Sequence, residues 1–332
     1  MFRKKIFLTV FVALLMIAGC ANPTATLPAP TEMPTEIPTI EPTSAPTEVS
    51  VVDVVFPLTV KDEAGNDFTF EKAPQRIVSL SPALTETLFA VGAGELIVGN
   101  TDFCDYPEAA KSIQKVGGYS VDSISVETIV SLKPDLVMAE SLIQSATIDA
   151  LKQANLPVFV SSANSYEDVF NNITTAGKIT DHGQEAEELI SLMNDRIAKV
   201  QEKVKDIPEA DRPKVFWEVW DEPLMTIGPN TFLDRLIREA GGINIFSDAP
   251  VDYPSISAEE VIKRNPDFIM GPGTMSKKLD TENLATQPGW GNVNAIVKEQ
   301  IVLLDDNISS RPGPRIVDAI ELIAKALYPE LF

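Results

Sequence analysis

The chain has one histidine and two cysteines in 332 residues, and these scarcities remove whole classes of chemistry. An imidazole-rich metal site needs several ligands of a type supplied here only once, at His182, so no metal site is expected. Histidine-dependent base catalysis lacks material for the same reason. Basic residues are also short, 27 Lys and Arg against 48 Asp and Glu, and so acidic a surface repels nucleic acid and anionic lipid. The catalytic loops are missing too. The segment nearest to a serine elbow, Gly-Tyr-Ser-Val-Asp at 118–122, lacks the final glycine, and neither G-x-G-x-x-G after a strand nor a Gly-Lys-Ser/Thr phosphate loop occurs. An enzyme would have to work through carboxylates, as a chelatase does, and no residue pattern supports one. Neither catalytic residues nor a cofactor are therefore assigned.

Long apolar runs are equally scarce. The one run from Ile6 to Ala18 is 13 residues, short of the roughly 20 that a spanning helix needs. With Arg3, Lys4 and Lys5 before it and Gly19 and Cys20 after it, the run reads as an export signal over residues 1–19. Ile17-Ala18-Gly19-Cys20 resembles a bacterial lipobox, in which Cys20 takes a diacylglycerol and holds the chain on the extracytoplasmic face of a membrane. Loss of 1–19 would leave 24 basic against 48 acidic residues, or −24, and would leave Cys104 without an intramolecular partner. Residues 21–50 hold seven prolines and seven threonines with no hydrophobic period, so the stretch 20–54 is expected to be a semi-extended tether. A tethered surface adhesin remains an alternative at this point.

From residue 55 the pattern changes to short β-rich runs alternating with amphipathic segments. Strands are expected at 76–80, 96–98, 136–138, 158–160, 215–219, 268–270 and 301–304. Helices are expected at 82–91, with Ser81 as cap and Pro82 in its first turn, and at 315–327. Such alternation implies α/β architecture with mainly parallel sheets. Over 184–205, Ala186, Leu189, Ile190, Met193, Ile197, Val200 and Val204 form a helical stripe, and 22 residues at about 1.5 Å each give a rod long enough to run between two lobes.

The second half echoes the first. Residues 123–138 and 255–270 share seven of sixteen positions at a constant offset of 132, including Ser125 and Ser257 as caps, Pro134 and Pro266, and Asp135 and Asp267. Two Rossmann-like lobes are therefore expected, at 55–180 and 207–332, joined by one helix at 181–206. A ligand would lie between them, outside the carboxyl ends of the strands.

Arg-Ile-Val-Ser-Leu-Ser-Pro-Ala-Leu-Thr-Glu (76–86), Thr-Asp-Phe-Cys-Asp-Tyr-Pro (101–107), Val126–Val137, Pro-Leu-Met-Thr-Ile-Gly-Pro (223–229), 240–246 and Ser-Arg-Pro-Gly-Pro-Arg (310–315) together resemble the cobalamin and iron-siderophore binding proteins of ABC importers. The resemblance runs from about residue 58 to the end and is greatest to cobalamin binders. It implies a monomeric receptor on a helical backbone that delivers cobalamin or a related corrinoid, or else a ferric siderophore or haem, to a permease and its ATPase. It also implies that Glu127 and Glu259 dock permease arginines, where an acid in a helix's first turn would otherwise only steady that turn.

Loops after strands supply the candidate ligand contacts: Ser81, Pro82, Asp102, Phe103, Cys104, Asp105, Tyr106, Gly118 and Tyr119 from the first lobe, and Trp220, Asp221, Met225, Pro272 and Gly273 from the second. Phe103 and Tyr119 match aromatic positions of the family. Arg311 would either bind an anionic group or cap the neighbouring helix. Cys104 would either touch the ligand or serve as a small buried side chain.

Overall fold

The computed structural model describes residues 54–118, 123–273 and 279–332. The export signal, Cys20, nearly all of the tether and Tyr119 lie outside the described residues. The chain opens with an antiparallel hairpin, β1 (Leu58–Lys61) and β2 (Asp67–Phe70). There follow β3 (Ile77–Ser79), α1 (Pro82–Ala90), β4 (Ile97–Asn100), α2 (Val126–Ser131), β5 (Leu136–Ala139), α3 (Ser141–Gln153), β6 (Val158–Val160) and α4 (Tyr166–Thr180). Strands β3 to β6 form a parallel sheet in the order β4-β3-β5-β6. After α5 (Gly183–Val204) come β7 (Lys214–Asp221), β8 (Leu224–Thr226), α6 (Phe232–Glu239), β9 (Ile243–Asn244), α7 (Ala258–Arg264) and β10 (Phe268–Pro272). The chain closes with α8 (Thr281–Ala285), α9 (Asn294–Val297), β11 (Ile301–Leu304), α10 (Asp306–Ser309) and α11 (Ile316–Leu327). The second sheet runs β11-β10-β7-β8, with β9 also on β7, and only β8 is antiparallel.

Alternation along the central strands explains why each sheet is covered on both faces. Ile77, Leu136, Met138 and Phe159 point into the largest apolar cluster, while Val78, Val137, Val158 and Val160 point into a second one behind. In the other sheet Val215, Trp217 and Met270 join the same largest cluster, and Phe216 and Ile269 join a third. The shared cluster passes through α5, whose Ala186, Met193, Ile197, Val200 and Val204 are buried. The rod read from the sequence is thus packed along its apolar stripe against both α/β halves.

The repeat acts through equivalent contacts in each half. Ser125 and Ser257 accept the backbone N–H groups of Thr128 and Glu260, capping α2 and α7. Each helix stops short of its proline, at Lys133 (φ 49°) and Asn265 (φ 48°), because a residue before proline is displaced from helical geometry. The following aspartates then tie the turn to the central strand. Asp135 accepts the N–H groups of Gln75 and Arg76 at 2.7 and 2.8 Å, and Asp267 accepts that of Lys214 at 3.1 Å.

Candidate functional site

The carboxyl ends of β3, β5 and β6 bring Ser81, Glu140 and Ser162–Asn164 to one wall of a cavity of about 360 Å³. Ser310, Arg311 and Pro312, from the segment between α10 and α11, form the facing wall. Ser81 works twice: its hydroxyl oxygen receives the Leu84 N–H that starts α1, and its hydroxyl hydrogen is donated to Glu140. Pro82 lines the same cavity beneath it. Glu63 of the first hairpin braces the wall from behind, accepting the Ser162 N–H at 2.8 Å and the Asn164 amide at 3.0 Å.

Beside this cavity the two halves are joined by ions. The Arg311 guanidinium donates to Glu86 at 3.0 Å, to Asp105 at 2.7 Å and to the Phe103 carbonyl at 3.0 Å. Arg315 grips both oxygens of Glu86 at 2.7 Å and lies 4.2 Å from the centre of the Tyr106 ring. Glu86 is 3 % exposed, so its charge depends on these two partners. Of the two roles expected for Arg311, the helix cap is not the one its contacts describe. It reaches across to α1 and to the loop after β4.

That loop is held from below by Lys115, whose ammonium donates to Asn100 Oδ1 and to the carbonyls of Thr101, Cys104 and Ala110 at 2.8–3.2 Å. Phe103 and Tyr106 consequently stand out at 55 % and 48 % exposure, with Asp102 exposed beside them. Gly118 lies close to the Phe103 ring, since a Cβ built on it would meet Phe103 at 3.8 Å. Cys104 is different. The residue is 1 % exposed, and its sulfur has the hydroxyls of Thr85 and Thr101 at 3.2 and 3.1 Å, so the thiol belongs to the core and not to the cleft surface.

In the second half Trp220 pairs with Met225 across β7 and β8 and stays 45 % exposed. Asp221 lines a separate cavity of about 250 Å³ with Glu218, Leu224 and Trp290. Pro272 is buried as the last residue of β10, which removes its ring from any ligand surface. Gly273 is partly exposed and donates its N–H to Leu304.

Tyr253 is 46 % exposed, on a segment whose Pro254 and Asp252 carbonyls accept the N–H groups of Thr226 in β8 and of Gly228 after it. Two participants escaped the sequence reading. Lys115 supports the aromatic loop, and Glu140 lines the cavity at the end of β5. Glu140 was legible in principle, because it follows β5 much as Ser81 follows β3. Glu127 and Glu259 are exposed in the first turns of α2 and α7. The Glu259 carboxyl is held below its usual range by its own backbone N–H and then by the Ser257 hydroxyl.

Among the described residues no group of three or more His, Cys, Asp or Glu is placed to hold a metal, and no helix is long and apolar enough to cross a membrane. The family model described as periplasmic binding protein matches residues 77–308. An uncharacterized ABC transporter substrate-binding lipoprotein, YvrC, of Bacillus subtilis is 31 % identical over 99 % of this chain and 98 % of its own length. A cobalamin-binding protein of Halobacterium salinarum is 31 % identical over 82 % of this chain and 74 % of its own. A solved structure from Staphylococcus epidermidis, a possible iron-binding (periplasmic solute-binding) protein, superposes with a TM-score of 0.69 at 29 % identity, covering 77 % of this chain and all of the other. Together with two mainly parallel sheets set on a shared helix, these matches establish that the chain belongs to the periplasmic binding protein family.

Proposed function

We propose that the protein is the receptor of an ABC importer, binding cobalamin or a related corrinoid between its two lobes and delivering it to the permease and ATPase subunits. The observation that carries this reading is the cavity at the carboxyl ends of the first sheet, faced by the Arg311 segment, which also holds the loop of the exposed Phe103 and Tyr106. Phe103, Tyr106, Trp220 and Tyr253 would cover a broad planar ring, while Ser81, Glu140 and Asn164 would meet peripheral amides. The likeness to the Halobacterium cobalamin-binding protein points the same way. A corrinoid is larger than about 360 Å³, so its entry requires the lobes at 55–180 and 207–332 to part about the helix at 181–206. Arg311 would then exchange its half-exposed partner Asp105 for an anionic group of the ligand, such as a phosphodiester.

In this reading Cys20 carries the lipid, residues 20–54 are the tether, and the receptor works as a monomer outside the cytoplasm. It binds and releases its ligand without chemical change. A ferric siderophore or haem is the second reading, favoured by the likeness to the possible iron-binding protein of Staphylococcus epidermidis. Calorimetric titration of the purified protein with cyanocobalamin, a ferric hydroxamate, a ferric catecholate and haemin separates them. The expected result is a 1:1 complex with cyanocobalamin. Silence there beside saturation by one of the iron compounds overturns the corrinoid assignment.

A further inference from the structure

We propose that Asp105 is an internal competitor for Arg311: it holds the guanidinium until an anionic group of the ligand displaces it, and so sets the affinity of the cleft for anionic ligands. The proposal rests on the corrinoid reading above and on the exchange at Arg311 stated there. Arg311 is the one basic residue among those that line the cavity at the carboxyl ends of the first sheet. Its Nη1 has two hydrogens, and two carboxylates take both, Glu86 at 3.0 Å and Asp105 at 2.7 Å. An incoming anion therefore reaches this nitrogen only by displacing one of them.

Burial decides which one yields. The Glu86 side chain is 3 % exposed, and Arg315 holds both of its oxygens as well, so taking a partner from it leaves a desolvated charge short of compensation. The Asp105 side chain is 41 % exposed, and Arg311 is its one hydrogen-bond partner among the described residues. Released, it turns to water at small cost. Charge leads to the same result. Two arginines and two carboxylates make the cluster neutral, and with Asp105 turned out two positive charges face the one negative charge of Glu86. The deficit matches one anionic group, such as the phosphodiester of a corrinoid. When the ligand leaves, Asp105 takes its place again, so the guanidinium exchanges one acceptor for another in both directions. Competition of this kind lowers the apparent affinity in proportion to the fraction of receptor in which Arg311 is open.

The test titrates cyanocobalamin, which carries a phosphodiester, and dicyanocobinamide, which lacks it, calorimetrically into wild type, Asp105→Asn and Asp105→Ala. Both variants should bind cyanocobalamin about fivefold more tightly than wild type, with the affinity for dicyanocobinamide changed by less than about 1.5-fold. Arg311→Gln supplies the control, because without the guanidinium Asp105 has nothing to withhold. Asp105→Asn added to Arg311→Gln should change the affinity for cyanocobalamin by less than about 1.5-fold. Thermal melts check folding, and the two Asp105 variants, altered at a half-exposed side chain, decide the matter by themselves if Arg311→Gln does not fold. Three results overturn the assignment of Asp105 and leave the corrinoid reading standing. One is a gain below about twofold in both Asp105 variants, as an anion meeting Arg311 by its other hydrogens would give. Another is an equal gain for both ligands. The third is a gain that persists beside Arg311→Gln, as plain repulsion between Asp105 and the phosphodiester would give. Failure of wild type to bind cyanocobalamin at all overturns both.

Discussion

Glu86 is the residue on which the contact between the two halves turns. It is buried on α1 and receives guanidinium groups from positions 225 and 229 residues further along the chain. Removing one member of a buried ionic set costs more than the set contributes, because the remaining charges keep their desolvation without their partner. Glu86→Gln keeps the shape and removes the charge, so it should destabilise the protein by about 3 kcal/mol, read as a fall in the urea midpoint at constant m-value. A loss below about 0.5 kcal/mol would show that water already screens the site. The sequence marked Arg311 but not its partner, since a pairing at such separation leaves no local trace. It also counted Pro272 as a ligand contact from its place after a strand, and it left Cys104 open between a ligand contact and a small buried side chain, of which the structure shows the second. Whether a side chain at a strand end turns inward depends on neighbours such as Thr85 and Thr101, which no spacing encodes.

The element most legible in the sequence was α5, whose stripe of steps of three and four gave its span to within a residue at each end. The hairpin of β1 and β2 and the strands β8 and β9 went unread, since runs of two to four residues carry too little pattern. Tertiary bonds, such as that from the Thr226 hydroxyl to the Trp217 carbonyl at 2.7 Å, hold them instead. On its outer side α5 is clamped to α11 by Arg196, which donates to both oxygens of Glu321 at 2.9 and 2.6 Å and to Asp318 at 2.6 Å. The hydrogen bond from Arg196 holds the Glu321 carboxyl below its usual range, against the opposing effect of burial. A carboxylate whose folded pKa is depressed contributes fully above its unfolded value, near 4.3, and its contribution is lost as pH falls through the folded value. Both side chains are about a third or more exposed, so the pair is screened and worth about 0.5 to 1 kcal/mol. Glu321→Gln should therefore lower stability by that amount at pH 7 and by progressively less from pH 4 downward. Urea melts at pH 7 and pH 3 measure it. A deficit as large at pH 3 as at pH 7 would mean that the substitution acts through packing and not through charge.

At the scale of the whole molecule, the repeat offers the transporter one acid on each half in equivalent positions. Glu127 and Glu259 are both exposed in the turn that follows a serine cap, and the bonds from the Glu259 backbone and the Ser257 hydroxyl favour the charged form of Glu259. Two explanations compete. As helix stabilisers they would each be worth about 0.3 to 1 kcal/mol, and their loss would be felt in the melting temperature alone. As docking charges they would act on encounter and orientation with the permease, so their reversal would be felt in transport alone. The double variant Glu127→Arg, Glu259→Arg separates these outcomes because neither residue lines the cavity of Ser81, Glu140 and Arg311. Its affinity for cyanocobalamin should stay within about twofold of wild type, while uptake of labelled cyanocobalamin by cells relying on this receptor should fall at least about tenfold, the effect of some 1.4 kcal/mol lost at the docking step. Each single reversal should fall between, since one acid remains to orient its lobe. Uptake at the wild-type rate by the double variant, with the protein folded and anchored, would return both residues to the role of helix stabilisers and leave the docking surface elsewhere.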